Sequence, residues 1–342
     1  MSGRHHKIRA LTPEGLRELT PAELSDVLAG LKKPSSPVTW IHADPDQAVV
    51  GALDDMGLHE VAVKSLRDGP ERPRVEEFAD HLYISLFSCD KPGACGIDDT
   101  WPPAAGSSSP ESGASVPQLR LLRLFLAKRW IISVGDIDAG EYQVLAERMN
   151  RQVFSRNRGP SFIAYHICEW LVESLQPTLE RLDDRIDDLE DQVVLTTGEA
   201  PMQELFGLKR DLVELRRRVS PLRDVMQRLG SHGVVYVEPE AEVYFRDVHD
   251  DVMRVIELLD TYRDILSSAL DLHLSSVSNR LNRVMKQLTV IATMFLPLSF
   301  IVGLFGTNFR DMPFGSFAWF IVMFALLLAS FVGMLLYSWR RT

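Results

Sequence analysis

Residues 274–309 read LSSVSNRLNRVMKQLTVIATMFLPLSFIVGLFGTNF, and the part from 287 to 309 holds 23 consecutive uncharged residues. After Arg310 and Asp311, a second uncharged run of 28 residues extends from 312 to 339. Each run is long enough to cross a bilayer as a helix. The sequence therefore predicts two membrane spans in a lipid bilayer and excludes a secreted, fibrous or wholly soluble protein.

Basic residues flank the two runs unequally. Arg310 lies between them, whereas five cations stand on their other sides, namely Arg280, Arg283, Lys286, Arg340 and Arg341. The positive-inside rule then places both termini in the cytoplasm and the short loop outside. The first residues, MSGRHHKIRALTPEG, contain no apolar segment typical of a cleavable signal peptide. We therefore predict a multi-pass protein of the cell (inner) membrane.

The 342 residues carry a net charge of −10, and the average composition resembles that of a soluble protein. The residues after 286 contribute three arginines and one aspartate, so residues 1–286 carry −12. This acidity disfavours nucleic acid as a partner and is compatible with divalent metal ions. The three cysteines are an odd number without CxxC spacing, which indicates a reducing compartment.

The region before the spans predicts an α/β domain. Short apolar segments at 38–43, 81–88, 119–127 and 129–134 predict strands, and the Pro-, Gly- and Ser-rich segment 91–118 predicts a flexible loop. Helices are predicted near 161–197 and 202–230, and a third from about 239 into the first span. The predicted segments are a cytosolic α/β domain (1–238), a stalk helix (239–286), transmembrane helices at 287–309 and 314–339, an external loop (310–313) and a tail (340–342).

Two stripes follow the third helix. The first is an apolar heptad seam that predicts helix-on-helix packing: Val248, Val252, Val255, Leu259, Tyr262, Leu266 and Ala269. The second stays mostly polar or small and continues into the span: Asp247, Asp250, Arg254, Glu257, Thr261, Asp264, Ser268, Asp271, Ser275, Ser278, Asn282, Met285, Thr289, Ala292, Leu296, Ser299 and Gly303. Helix packing or an ion pathway would both explain it. Its continuity favours a pathway, which needs several copies around one axis and hence a homo-oligomer.

At the outer end of the first span, Gly306 offers a flexible exit from the helix and Asn308 a neutral amide. A ring of amides suits a hydrated divalent ion such as Mg2+, which releases its water reluctantly. A helix cap followed by a turn is the alternative interpretation.

These segments resemble the CorA family of divalent-cation transporters. The likeness rests on YFRDVHD at 244–250, the stretch at 274–309 and Met312-Pro313, and more weakly on TWIH at 39–42, RPRVEEFADHLYISL at 72–86 and LKRDLVELRRRVSPLRD at 208–224. The resemblance implies a funnel-shaped homopentamer. In it, a cytosolic α/β domain leads to a stalk helix that continues as the pore-lining first span, and the second span forms an outer ring.

The resemblance also implies roles for single residues. Gly306, Thr307 and Asn308 would form the G-x-N selectivity filter, and Asp271 would supply a metal-binding carboxylate ring at the cytosolic mouth. The implied pore-lining residues are Asn282, Met285, Leu288, Leu296 and Ser299, with Met285 and Leu288 as a hydrophobic constriction; Thr289 and Gly303 lie on the same stripe.

Asp247 would belong to a regulatory metal site between subunits. Its acidic partner in the family falls within 59–65 here, where the chain offers Lys64 and Ser65. This difference predicts weaker or differently arranged feedback of divalent ions on gating.

The transported ion has more than one candidate. The magnesium branch of the family usually has Gly-Met-Asn, whereas Thr307 is the middle residue here, and Arg310 stands where an acidic residue is common. Potential-driven Mg2+ influx is the leading hypothesis. The alternatives are a ZntB-like transporter of Zn2+ (or Co2+ or Ni2+), with or without proton coupling, and a non-conducting membrane-anchored sensor or scaffold.

Other metal-like groupings favour structural roles. Asp247, His249 and Asp251 are better explained as a solvated stalk than as a zinc site, and His166 with Glu169 as a core or interface pair. The sequence contains no G-x-S-x-G, P-loop, HExxH or G-x-G-x-x-G motif. We therefore expect neither an enzyme nor a cofactor other than the transported cation.

Overall fold

The structure, a computed structural model, describes residues 8–31, 36–67, 72–89, 119–195, 200–306 and 317–341. It divides into two compact units, Met1–Ala269 and Leu270–Thr342. The boundary between the two units lies inside the longest described helix, whereas the predicted division after residue 238 coincides with the start of that helix. The predicted loops 91–118 and 310–313 lie outside the described residues.

A mixed sheet of seven strands forms the centre of the described part of the first unit. The strands are β1 (Ile8–Thr12), β2 (Gly15–Leu19), β3 (Thr39–Ala43), β4 (Arg74–Glu77), β5 (Leu82–Cys89), β6 (Leu119–Leu126) and β7 (Trp130–Val134). Their order is β2-β1-β3-β7-β6-β5-β4. β3 and β7 pair in parallel, and the other neighbours pair antiparallel.

Short apolar segments predict β3, β5, β6 and β7, and all four are confirmed. The strands β1, β2 and β4 are missing from that prediction. β2 (GLREL) and β4 (RVEE) are the charged edge strands of the sheet, where a clear alternation of buried and exposed residues is lost. Gly15 has φ +132°, which permits the tight turn from β1 to β2 that a side chain would strain.

The described helices are α1 (Pro21–Leu31), α2 (Gln47–Asp55), α3 (Glu60–Ser65), α4 (Ala139–Gln152), α5 (Pro160–Glu173), α6 (Gln176–Leu195), α7 (Ala200–Leu229), α8 (Pro239–Phe305) and α9 (Phe317–Arg341). The prediction of one helix over 161–197 is wrong, because α5 and α6 are separate. Pro177 has no N–H to donate to the carbonyl of Glu173, so the chain breaks at Ser174 and Leu175 and restarts.

The helix α5 packs against the sheet and is buried almost all round. It contacts β3, β5, β6 and β7, and its buried residues include Phe162, Ile163, Ile167 and Leu171. A helix that is apolar on most sides is typical of a protein core. The helix therefore forms one wall of the first unit and fixes the positions of its few polar side chains.

The helix α8 begins at Pro239, as predicted, and continues for 67 residues. The seven residues of the heptad seam are all buried, so the predicted helix-on-helix packing is confirmed. Polar contacts join α8 to its neighbours in the same unit: Arg216 of α7 pairs with Asp260 at 2.7 Å, and the Tyr262 hydroxyl donates to the Leu179 carbonyl of α6 at 3.4 Å. Each fully buried aliphatic side chain stabilises this packing by about 1.5–3 kcal/mol.

Candidate ion pathway

The predicted pore residues share one face of the second half of α8. At about 100° per residue, they fall within about 120° of the helix circumference. The set consists of Asp271, Asn282, Met285, Leu288, Thr289, Leu296, Ser299 and Gly303, and all of them are exposed in the single chain. A face a third of the circumference wide is what one helix contributes when several copies surround an axis.

The opposite side of α8 is partly covered. The half-buried residues between 287 and 304 are Val290, Met294, Pro297, Leu298 and Ile301, which lie on the side away from the stripe. On α9, the half-buried residues Met323, Leu327 and Ser330 have the spacing i, i+4, i+7 of one helix face. Both half-buried faces belong to the same compact unit. The stripe of predicted pore residues therefore lies on the side of α8 that the single chain leaves exposed.

Large apolar side chains are exposed around the rest of this segment. Val302 is 54% exposed and Ile291 53%, and both lie off the stripe. The helix contains a window with a mean hydropathy of 1.9 that is long enough to cross a membrane, and none of that window is buried. The apolar part of α9, Phe317–Gly333, is shorter among the described residues. Such surfaces require lipid or other protein chains as their surroundings.

Hydroxyl groups on the stripe and beside it keep oxygen lone pairs available. The Thr289 hydroxyl donates to the Met285 carbonyl at 2.8 Å, and the Thr293 hydroxyl donates to the Thr289 carbonyl at 2.7 Å. Because each proton is used within the helix, each oxygen still has acceptor capacity toward the open side. An oxygen of this kind can accept from the water that surrounds a hydrated cation.

Pro297 adds a backbone oxygen that the sequence analysis does not single out. Proline lacks an N–H, so the carbonyl of Thr293 loses its usual helical donor. Thr293 lies next to the stripe, about 20° beyond Asn282 on the helix surface. In a membrane, a freed carbonyl needs water, an ion or protein as its partner. A proline inside an apolar span is the sequence signal for such an oxygen.

The outer end of α8 is described as far as Gly306. Its N–H donates to the Val302 carbonyl at 2.9 Å, and a Cβ at this position would lie 3.2 Å from the same oxygen. The close approach favours glycine there, although its φ lies outside the left-handed region. Thr307 and Asn308 lie outside the described residues.

Comparisons with known proteins decide the family. Residues 108–341 match the family model of the CorA-like Mg2+ transporter protein. The cobalt/magnesium transport protein CorA of Thermotoga maritima is 32% identical over 314 residues, which cover 90% of this chain and 82% of that protein. The chain belongs to the CorA-like Mg2+ transporter family.

Two further similarities extend this result. The zinc transport protein ZntB of an Enterobacter species is 26% identical over 300 residues, which cover 86% of this chain and 84% of that protein. The structure of the CorA magnesium transporter from Methanocaldococcus jannaschii matches with a TM-score of 0.75 at 21% identity, over 100% of this chain and 99% of that one. The predicted CorA-like fold is confirmed. Members of the family are membrane transporters of metal ions, and this chain is a metal ion transporter.

The predicted regulatory residues of this CorA-like chain have contrasting surroundings. Asp247 on α8 and Lys64 on α3 are exposed, whereas Ser65 is buried. The Ser65 hydroxyl lies 2.7 Å from the Ala62 carbonyl and 2.6 Å from the Tyr83 hydroxyl. Ser65 is therefore held in the interior of its own unit, and Lys64 is the exposed residue of this pair.

The other metal-like groupings form ordinary contacts. His249 lies 3.2 Å from a carboxylate oxygen of Asp250, its neighbour in sequence. His166 is buried and lies 3.0 Å from Glu169. Within the described residues, no group of three or more His, Cys, Asp or Glu side chains is arranged to hold a metal ion. Cys168 is free and buried, and burial raises the pKa of its thiol.

Proposed function

We propose that this chain forms a homopentamer that conducts Mg2+ into the cytoplasm. In this proposal, the stripe on α8 lines the pore, Asn308 forms the filter ring at the outer end, and Asp271 forms a carboxylate ring at the cytosolic end. α8 and α9 each cross the membrane once, with both termini in the cytoplasm. The observation that carries the proposal is the open, polar stripe on the side of α8 opposite its half-buried face.

The need for several copies follows from the apolar surface and the stripe together. A single α8 cannot enclose water, and its hydroxyl and amide groups would face lipid if the chain were alone. Packing several copies around an axis places the stripes toward a shared centre and leaves the large apolar side chains that lie off the stripe, such as Ile291 and Val302, toward lipid. The 3.5-residue repeat of the stripe favours a left-handed twist of the assembled helices. The pentameric number comes from the family resemblance.

Recognition of a hydrated ion fits the residue types of the stripe. Mg2+ holds its water tightly, so a pathway for it needs oxygen atoms that contact the water shell rather than a cage that replaces it. The Thr289 hydroxyl, the Thr293 carbonyl and the Asn282 amide are neutral groups of this kind. Neutral oxygens bind a doubly charged ion weakly enough to release it, which conduction requires.

The membrane potential supplies the driving force in this proposal. An inside-negative potential provides about 2.3 kcal/mol per charge for each 100 mV, and hence about 4.6 kcal/mol for a divalent ion. No ATP-binding motif occurs in the sequence. The −12 charge of residues 1–286 gives the cytosolic side a surface that attracts the arriving cation.

Zinc transport is the second candidate. Thr307 replaces the methionine that is usual in the magnesium branch, and Arg310 adds a positive charge near the expected entrance. The similarity to the zinc transport protein ZntB over most of the chain supports this alternative. It differs from the first proposal in the ion and in possible coupling to protons, but it uses the same stripe.

Ion flux into proteoliposomes distinguishes these functions. The purified chain is reconstituted, and uptake of Mg2+, Co2+, Ni2+ and Zn2+ is compared with and without a pH gradient at a fixed inside-negative potential. We expect Mg2+ uptake that needs no pH gradient and is abolished in Asn308→Ala. Zinc uptake that requires the gradient would assign the second candidate. Absence of flux for every ion would refute transport through this chain and favour a sensor or scaffold.

A further inference from the structure

A polar cavity of about 310 Å3 lies in the first unit between α4, α5 and the start of α8. The charged residues of its lining are Arg148, Arg156, Arg158, Glu169 and Glu173, and His166 lies beside them. Three guanidinium groups and two carboxylates line the wall, so these five groups carry a net charge of +1. A positive cavity is unexpected in a region whose total charge is −12.

The connection between α4 and α5 positions two of the arginines. The N–H of Arg158 donates to the Val153 carbonyl at 3.0 Å, and the N–H of Asn157 donates to the Phe154 carbonyl at 3.1 Å. Asn157 has φ 52°, a left-handed conformation that asparagine tolerates better than most residues. This tight turn places Arg156 and Arg158 on the wall of the same cavity.

The three arginines differ in what already holds them. Arg148 contacts both carboxylates, with distances of 3.0 Å to Glu169 and 3.1 Å to Glu173. The Arg158 guanidinium lies 4.4 Å from the Phe162 ring centroid and donates to the Tyr244 hydroxyl at 3.3 Å. Ion pairs to Arg156 or Arg158 are absent from the described part of the chain. These two cations are therefore available to an anion that enters the cavity.

The buried His166 supplies a further unused atom. It is 4% exposed, its Nδ1 lies 3.0 Å from Glu169, and its Nε2 has no hydrogen-bond partner within the described residues. Burial alone would raise the pKa of Glu169, but hydrogen bonds from His166 and Tyr165 and the charge of Arg148 hold it below its ordinary value. Glu169 is the hydrogen-bond partner of Nδ1, so Nε2 is the ring atom left for a ligand.

We propose that this cavity binds a small phosphate-bearing molecule, with Arg156 and Arg158 contacting the phosphate oxygens and Nε2 of His166 as a further hydrogen-bonding atom for the phosphate. Guanidinium groups match phosphate geometry and remain charged. A metal cation is disfavoured by the three arginines. The cavity volume suits free phosphate or a small phosphomonoester rather than a macromolecule. The cavity shares no lining residue with the predicted pore-lining set on α8, Asp271 to Gly303, so its failure would leave the transport proposal intact.

Binding to the full-length chain in detergent tests the proposal. Isothermal titration calorimetry with inorganic phosphate, sulfate, adenosine monophosphate and adenosine is performed on wild type and on the double variant Arg156→Ala/Arg158→Ala. We expect phosphate binding that weakens roughly tenfold or more in the double variant, since the variant loses charge-assisted hydrogen bonds from two guanidinium groups. Arg210→Ala, which removes an exposed arginine of α7 outside the cavity, should bind as wild type does.

Two further comparisons keep the test decisive. Arg156→Lys/Arg158→Lys retains the charges and should bind more weakly than wild type if the planar guanidinium groups matter, even where the alanine variant folds poorly. Phosphate affinity should also fall in His166→Asn, which removes the ring Nε2 from the cavity. Tighter binding of adenosine monophosphate than of phosphate would identify a phosphomonoester, and the reverse would identify free phosphate. Absence of phosphate and nucleotide binding, or equal losses in Arg210→Ala, would overturn the proposal.

Discussion

Stability of the first unit should fall in mildly acidic solution because of His42. This residue lies in β3, is 1% exposed, and its Nδ1 is 2.9 Å from the Ser133 hydroxyl. Burial, reinforced by the charge of Arg9, lowers the pKa of His42 from 6.5 to about 3. The folded state therefore keeps this ring neutral at pH values where the unfolded chain binds a proton.

The sign and size of the effect follow from these two pKa values. Below pH 6.5 the unfolded state binds one more proton than the folded state, so the free energy of unfolding decreases as the pH falls. The loss approaches about 1.4 kcal/mol per pH unit and amounts to about 2 kcal/mol between pH 7.5 and pH 5. It ends near the folded pKa of about 3.

The matched variant is His42→Asn, which keeps a polar atom near the Ser133 hydroxyl but cannot titrate. Amide hydrogen exchange in β3 and β7, corrected for the intrinsic effect of pH on exchange, gives the free energy of opening in the full-length chain. We expect His42→Asn to be less stable at pH 7.5 but to lose about 2 kcal/mol less than wild type on acidification. Equal losses in wild type and variant would refute the assignment of this pH dependence to His42.

Three other predictions concern packing, the outer entrance and regulation. Leu266→Ala in the buried seam of α8 should destabilise the first unit by about 2–5 kcal/mol, as measured by amide hydrogen exchange. Val243→Ala, at an exposed position of the same helix, is the control and should have little effect in that measurement. Arg310→Glu should increase Mg2+ uptake at low ionic strength, and the increase should shrink with added salt; a salt-independent change would contradict an electrostatic cause. Lys64→Asp supplies the carboxylate that the predicted regulatory site with Asp247 lacks, so Mg2+ should protect this variant from proteolysis better than it protects wild type. Ser65→Asp should only destabilise the chain, because Ser65 is buried and hydrogen-bonded. Equal protection of Lys64→Asp and wild type would argue against a carboxylate site at this position.

The long helix and its two stripes are predictable because their information is local and repetitive. A seam such as Val252, Leu259 and Leu266 repeats over several turns, and each repeat adds to the same signal. The structure buries that seam and leaves the polar stripe open. The start at Pro239 is also local, because proline is favoured in the first turn of a helix.

Features that depend on distant contacts were harder to predict. The edge strands β2 and β4 carry charges and owe their conformation to pairing with β1 and β5. The cavity unites Arg148, His166 and Tyr244, which are far apart in sequence and become neighbours only through the packing of α4, α5 and α8. A single sequence contains no periodic signal for such a grouping.

Chemical access to the stripe tests the ion pathway most directly. In a background without the native cysteines Cys89, Cys95 and Cys168, Ser299→Cys places a thiol on the stripe and Ile301→Cys places one on the half-buried side of the same turn. Proteoliposomes containing each variant are treated with a positively charged, membrane-impermeant thiol reagent, and Mg2+ uptake is measured before and after. We predict that uptake is blocked in Ser299→Cys and unchanged in Ile301→Cys. Block of the second variant without block of the first would contradict the proposed pathway.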